Sequence, residues 1–165
     1  MEKQKFWDIR FAQLTKLISL WSKDPSTKVG AVIVRPDRTI VSTGYNGFPR
    51  GVPDLPEMYD DRSIKYKIVK HAEINALHMA SENLKDCTIY VYPLPPCSQC
   101  AGDIIQKGIK RVVAIVPPWS YARLTDPAFA FHLTEFMFAK AGVDMVILKD
   151  DVDLCALDEE LADAK

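Results

Sequence analysis

The chain has 165 residues, 48% of them hydrophobic, and a formal net charge of −1. This size and apolar content suffice for one domain that builds its core without disulfides. The near-neutral charge argues against a dedicated binder of long nucleic acid, and no stretch has the roughly 18 consecutive apolar residues of a membrane span. We therefore expect a cytoplasmic protein without a membrane anchor or export signal, whose partner is a small molecule and whose four cysteines stay reduced.

The first half of the chain predicts a helix, a hairpin and a long loop. Apolar residues recur at helical spacing over residues 5–21. Two β-branched runs at 29–34 and 39–47, separated by a turn, predict a pair of antiparallel strands. Residues 48–63 are dense in Pro, Gly and Asp, which indicates a long loop of the kind that serves a site or an interface.

Strand and helix alternate in the second half of the chain. Helices are predicted at 70–83, 97–109 and 128–141, strands at 87–92, 110–116 and 144–148, and a loop at 117–127. Gly142 is expected to stop the last helix. The alternation predicts an α/β fold in α/β/α layers, a mixed five-stranded sheet with helices on both faces. We assign residues 1–150 to this single domain and 151–165 to an acidic C-terminal tail.

Cys97 and Cys100 carry the strongest chemical signal. Two thiolates three positions apart at a helix start can hold one metal ion, although a redox dithiol or two buried small side chains would have the same spacing. His71 opens another helix after the long loop and offers a third ligand. Two thiolates and one imidazole leave one position of a tetrahedral zinc open, as in catalytic sites.

Glu73 follows His71 by two residues, so the two side chains do not share a helix face. The carboxylate would instead lie beside the open metal position and move protons between an activated water, a ring nitrogen and a leaving amine. The alternative is a solvent-facing glutamate that stabilises a helix N-terminus.

The remaining histidines and cysteines are weaker candidates. A metal site formed by His71, Asn75 and His78 competes with the cysteine site, but His78 lies among apolar residues and is expected to be packed. His132 is expected in the core or on the surface of the last helix. The two other cysteines, Cys87 and Cys155, lack a partner at ligand spacing and are expected to be structural.

His71-x-Glu73 followed by Pro96-Cys97-x-x-Cys100 is the signature of zinc nucleobase deaminases, and the chain resembles this superfamily. Within it, the chain is similar to the deoxycytidylate (dCMP) deaminase family through "SKDPSTKVGAVIV", "GYNGFPRG", "HAEINAL", "PPCSQCAGDIIQKGI" and "AGV". The resemblance implies zinc-dependent hydrolysis of dCMP to dUMP and ammonia, which supplies thymidylate synthesis. It also implies a homo-oligomer, often a hexamer, that is activated by dCTP and inhibited by dTTP with Mg²⁺ at a separate site.

The resemblance further implies substrate contacts. Asn46 would contact the deoxyribose, Ala72 would line the pocket, and Tyr121 would be the loop tyrosine over the substrate. In "SKDPSTK", four residues bring hydroxyl, amide and ammonium groups that could hold a 5′-phosphate: Lys23, Ser26, Thr27 and Lys28. The alternative for each of these four is a solvated turn.

The loop "GYNGFPRG" is the predicted effector site, formed by Gly47, Phe48 and Arg50. Its glycines permit close approach of a ligand, while Phe48 could stack on a base and Arg50 could pair with phosphates. A subunit contact or a plain turn would explain the same residues.

The segment "PPWSYARLTDPAFAF" departs from the family, because it is longer and more aromatic than the usual segment. This leaves the roles of Trp119 and Arg123, and with them the fine substrate choice, undetermined by the sequence. Three alternatives stay open: a tRNA adenosine deaminase, a free-nucleoside deaminase and a binding module with a purely structural zinc.

Overall fold

The structure is a computed structural model that describes residues 2–149. It contains one five-stranded sheet with the strands β1 Gly30–Val34, β2 Ile40–Tyr45, β3 Thr88–Tyr92, β4 Arg111–Val116 and β5 Asp144–Lys149, in the order β2-β1-β3-β4-β5. β1 pairs antiparallel with both β2 and β3, whereas β3, β4 and β5 are parallel. The mixed five-stranded sheet predicted from the sequence is confirmed.

The helices are α1 Glu2–Ser19, α2 Pro56–Asp60, α3 Arg62–Ile68, α4 Ala72–Met79, α5 Ser98–Gln106 and α6 Phe131–Ala141, with a 3₁₀ helix at Pro118–Thr125. Side chains alternate across the strands, so each face of the sheet has its own apolar cluster. α1 packs on one face through Phe11 and Ile18. On the other face lie Ala76 of α4, Ile104 of α5 and Phe138 of α6. Helices therefore cover both faces, as predicted.

Two segments predicted as loops contain helices. Within 48–63, Pro56 starts α2, and the Asp61 carboxylate caps α3 by accepting from the Ser63 amide at 2.8 Å. The second case is Pro118–Thr125, which begins with a proline whose fixed φ suits a first helical turn. The sequence prediction was wrong in both segments because it took proline only as a breaker.

Helix boundaries also differ from the prediction. α4 is shorter than the predicted 70–83, with His71 and Ala80 as its end residues. α6 begins at Phe131 rather than 128, because Ala130 has a left-handed backbone with φ 47°. The predicted stop at Gly142 is confirmed, and its φ of 68° suits glycine.

None of the helices within residues 2–149 is long and apolar enough to span a membrane. The acidic tail predicted at 151–165, with Cys155, lies outside the described residues, so the domain boundary at 150 stays a prediction.

Candidate metal centre and substrate cleft

The N-termini of two helices, α4 and α5, converge. His71 is the N-cap of α4 and Cys97 is the N-cap of α5, so both side chains project from the start of a helix. The turn before α5 is held by α6, because the Thr134 hydroxyl donates to the Pro96 carbonyl at 2.9 Å. The segment before α4 is held by a backbone bridge between Gly47 and Lys70.

His71, Cys97 and Cys100 converge as the sequence predicted. The Nδ1 atom of His71 lies 3.4 Å from the Cys97 sulfur and 3.3 Å from the Cys100 sulfur. All three ligand atoms lie within 4.8 Å of one another. A tetrahedral zinc with bonds of about 2.0–2.3 Å separates its ligands by roughly 3.5–3.8 Å, so the three side chains fit zinc with little rearrangement.

The pKa values of the two cysteines and the histidine favour binding of a metal cation. A hydrogen bond from the Cys100 thiol, assisted by His71, lowers the pKa of Cys97 to about 4 despite the opposing effect of burial. The same hydrogen bond and burial raise the pKa of Cys100. The hydrogen bond with Cys97 raises the pKa of His71 to about 9, again against burial. Without metal, the centre is a thiolate and an imidazolium, and a divalent cation would displace the remaining protons.

Glu73 lies in the first turn of α4, with a side chain that is only 3% exposed. Burial raises its pKa to about 7, the Cys97 thiolate adds to this shift, and His71 opposes it. A carboxyl that titrates near neutral pH beside a metal site is suited to both accepting and donating a proton.

The centre opens into a cleft. The sequence-predicted residues in its lining are Thr27, Asn46, His71, Ala72, Glu73 and Cys97. The other wall contains apolar side chains, including Leu94, Phe129 and Phe131. Such a cleft, with an apolar wall and few polar groups, is suited to a planar ring with polar edges.

Other predicted substrate residues do not reach this lining. Lys23 is exposed and pairs with Asp54 at 2.8 Å, and Lys28 is exposed as well. Ser26 is exposed outside the lining, and its hydroxyl accepts from the Lys65 ammonium at 3.3 Å. Tyr121 is 39% exposed on the 3₁₀ helix.

Asn46 is buried, and its side-chain amide forms hydrogen bonds that connect the segments around the cleft. The side-chain nitrogen donates to the Thr27 carbonyl at 2.9 Å and to the Asp24 carboxylate at 3.2 Å, while Oδ1 accepts from the Val29 amide at 2.8 Å. Both N–H groups are therefore used within the protein, and Oδ1 keeps one lone pair for a ligand hydroxyl.

The predicted effector residues lie outside this cleft. Gly47 pairs with Lys70 through the backbone, and Phe48 stacks on Tyr59 with ring centroids 4.1 Å apart. Arg50 is exposed, and its Nη2 lies 3.5 Å from the Met79 sulfur. The stacking on Tyr59 occupies one face of the Phe48 ring.

The competing histidine site does not form. His78 is exposed rather than packed, so that expectation was wrong, and Asn75 donates its amide to the Tyr45 carbonyl at 2.8 Å. His132 is on the surface of α6 and Cys87 is buried. Within residues 2–149, the cluster of ligand atoms comprises His71, Cys97 and Cys100 alone.

The cleft residues that the sequence analysis did not assign to the site include Asp24, Lys65, Arg123 and Phe129. Asp24 lies in the segment "SKDPST" next to Pro25, and this position was the feature of the sequence that could have indicated a site residue. Lys65 lies in α3, a helix that the sequence analysis did not predict, so no pattern indicated that its side chain is buried.

Comparisons with known proteins agree with this geometry. The sequence model of the cytidine and deoxycytidylate deaminase zinc-binding region matches residues 5–116. An uncharacterized deaminase of Aliivibrio fischeri is 42% identical over 146 residues, 88% of this chain and 96% of that protein. The deoxycytidylate deaminase of Homo sapiens is 42% identical over 143 residues, 83% of this chain and 76% of that protein.

Solved structures of other proteins have the same fold. The crystal structure of the dCMP deaminase of cyanophage S-TIM5 in complex with dCMP and dUMP superposes with a TM-score of 0.65 at 25% identity, over 84% of this chain and 94% of that chain. The zinc-ligand geometry, the buried glutamate and these similarities agree, and the chain belongs to the cytidine and deoxycytidylate deaminase zinc-binding family.

Proposed function

We propose that this protein hydrolyses dCMP to dUMP and ammonia and so supplies dUMP for thymidylate synthesis. The observation that carries the proposal is the buried Glu73 beside the cluster of His71, Cys97 and Cys100 in one cleft. The similarity to a dCMP deaminase of known structure with dCMP and dUMP supports this nucleotide as the substrate.

His71, Cys97 and Cys100 would hold the zinc ion. Zinc in such a site supplies Lewis acidity, which lowers the pKa of a water molecule toward 7. Glu73 accepts the proton of the attacking water and transfers it to the cytosine ring nitrogen N3. The carboxylate then takes the proton of the new C4 hydroxyl and donates it to the amino group at C4. The C4–N bond breaks, ammonia leaves, and the C4 carbonyl of dUMP forms.

The cleft residues orient the nucleotide. The apolar wall, which includes Leu94, faces the base and limits the access of bulk water. Asn46 offers its remaining Oδ1 lone pair to a deoxyribose hydroxyl, and Ala72 leaves room for the base beside the metal.

Ammonia release from dCMP tests the proposal. The wild type should convert dCMP to dUMP and ammonia in equal amounts, and a metal chelator should abolish turnover. Glu73→Gln should lower kcat by at least about 10²-fold, because the amide cannot relay protons. Glu135→Gln, an exposed glutamate on α6, is the matched control and should retain activity. A Glu73→Gln protein with normal turnover would contradict the assigned proton relay.

A substrate panel separates the alternatives. Deoxycytidine and an RNA stem-loop test the free-nucleoside and tRNA adenosine deaminases, and turnover should favour dCMP over both. Stoichiometric zinc without turnover of any cytosine compound would instead indicate the structural-zinc binding module.

We also propose that the active protein is a cytoplasmic homo-oligomer, with a hexamer favoured, which dCTP activates and dTTP inhibits together with Mg²⁺. The family resemblance and the loop of Gly47, Phe48 and Arg50, which lies outside the catalytic cleft, support a separate effector site. Sedimentation measures the oligomer, and dCMP saturation curves with each effector measure the regulation. Curves that neither nucleotide moves in the presence of Mg²⁺ would contradict the effector site.

A further inference from the structure

Arg123 is a cation that the 3₁₀ helix Pro118–Thr125 brings into the cleft. Its Nη1 atom donates to the Thr27 hydroxyl in a close contact, and its guanidinium lies over the Phe129 ring, 5.2 Å from the ring centroid. None of the ion pairs found within residues 2–149 involves Arg123. The cleft therefore has one half-buried positive charge that the described carboxylates do not neutralise.

The other cations near this end of the cleft are less suited to an anion. Lys65 lines the cleft, but its ammonium is bound by the Asp24 carboxylate at 2.8 Å. Lys23 pairs with an acidic side chain outside the lining, and Lys28 is exposed outside it. A phosphate that enters the cleft would meet Arg123 as the available cation among the described residues.

The geometry points to Arg123 as the residue that binds the 5′-phosphate of the nucleotide substrate, with the Thr27 hydroxyl as a second donor. This inference rests on the proposed function and narrows it, because it explains selection of a nucleoside monophosphate over a nucleoside. The sequence assigned the phosphate to a set of loop residues, of which Thr27 lines the cleft and the two lysines do not.

The donors match a phosphate. One guanidinium N–H is used on Thr27, and the others can form a bidentate contact with two phosphate oxygens. The Thr27 oxygen accepts from Arg123, so its own hydrogen is available for a third phosphate oxygen. Contact with the Phe129 ring restricts the guanidinium, which reduces the rotamer entropy lost when an anion binds.

Arg123→Gln tests the assignment through substrate discrimination. Loss of charged hydrogen bonds should lower kcat/KM for dCMP by roughly 10- to 100-fold. Because deoxycytidine has no phosphate, its kcat/KM should change by less than about 3-fold, so the preference for dCMP collapses. Arg123→Lys should recover part of the preference, since it keeps the charge but not the bidentate geometry. Arg62→Gln, at an exposed arginine that starts α3, is the matched control.

Binding of the products measures the same contact without catalysis. Calorimetry should show weaker binding of dUMP to Arg123→Gln by the same factor, with binding of deoxyuridine unchanged. An equal loss for dUMP and deoxyuridine would indicate a structural role and overturn the assignment. A lost dCMP preference in Lys28→Gln, together with an unaffected Arg123→Gln, would also overturn it. A wild type that binds dUMP but deaminates no cytosine compound would contradict the proposed function alone.

Discussion

Lys65 and Asp24 form an ion pair of 2.8 Å in the wall of the cleft, with side chains only 9% and 2% exposed. The same Asp24 carboxylate accepts from the Asn46 amide at 3.2 Å and from the Ser26 backbone N–H at 2.8 Å. One buried carboxylate thus connects α3, the end of β2 and the loop before β1. The shape of the cleft depends on this contact between distant segments.

Lys65→Met tests how much this pair contributes to stability. Removal of the ammonium leaves the Asp24 carboxylate buried without its cation, which should cost about 3–5 kcal/mol in the free energy of unfolding. Urea denaturation measures the loss, and KM for dCMP should rise because the Asp24 carboxylate, which accepts from Asn46, loses the cation that fixes its position. The double variant Lys65→Met with Asp24→Asn should lose less than the sum of the two single variants. Additive losses would show that the pair is not energetically coupled.

Gly44 in β2 allows α4 to approach the sheet closely. A Cβ atom at this position would overlap the Ala72 carbonyl oxygen and the Ala76 amide nitrogen. Gly44→Ala should therefore destabilise the protein by about 1–3 kcal/mol and displace the start of α4. Since α4 carries Glu73, kcat should fall together with the melting temperature.

Gly102 provides the control for that substitution. It lies inside α5, and a Cβ there would meet nothing within 4 Å. Gly102→Ala should leave activity unchanged and should stabilise the helix by roughly 0.5–1 kcal/mol, because alanine has the higher helix propensity. A Gly44→Ala protein as stable and active as Gly102→Ala would contradict the close approach of α4.

Asp8 should make stability depend on acidic pH. Burial opposes its ionisation, but hydrogen bonds from Arg111, Tyr90 and Gln4 outweigh this effect and lower its pKa below 3.8. The unfolded chain then binds more protons than the folded chain, so this contribution is complete above about 3.8 and is lost as the pH falls through the folded pKa.

Denaturation of Asp8→Asn between about pH 5 and 2 tests this relation. At neutral pH the substitution should cost about 1.5–3 kcal/mol, because Arg111 loses two charged hydrogen bonds of 2.7 and 2.8 Å. The difference from the wild type should shrink as the solution is acidified. A constant difference over this pH range would exclude Asp8 as the titrating group.

Cys100→Ala tests the metal centre by elemental analysis. Loss of one of three protein ligands should weaken zinc binding by more than about 10²-fold, since even outer contacts of zinc sites contribute 10- to 100-fold. Cys87→Ala is the control, because Cys87 is buried but outside the ligand cluster. That control should lose stability and keep stoichiometric zinc. Full zinc occupancy in Cys100→Ala would exclude this sulfur as a ligand.

Metal removal should also lower thermal stability. The apo protein holds protons on His71 and on the Cys100 thiol, and metal binding releases these protons in exchange for bonds to the ion. Chelation should therefore lower the melting temperature of the wild type, and added zinc should restore it in a concentration-dependent manner. An unchanged melting temperature on complete chelation would show that the ion does not stabilise the fold.

Periodicity in the sequence determined most of the fold. The five strands and the regular helices α1, α4, α5 and α6 were predicted from patterns that depend on neighbouring residues. The convergence of His71 with the cysteine pair was also predicted, because each ligand stands at a recognisable helix start. The sequence missed α2, α3 and the 3₁₀ helix, since these short helices begin at prolines or in acidic segments that resemble turns.

The sequence by itself predicted the family, the proposed zinc ligands and the proposed proton relay at Glu73, because the residues of each motif lie at fixed short spacings. Only the tertiary structure showed which cationic side chains line the cleft. Lys65 contacts Asp24, 41 positions away in sequence, and Arg123 contacts Thr27, 96 positions away. Lys23 and Lys28 lie outside the lining, although both are close to Thr27 in the sequence. Contacts between side chains this far apart in sequence depend on how the helices pack. Local sequence patterns do not predict that packing.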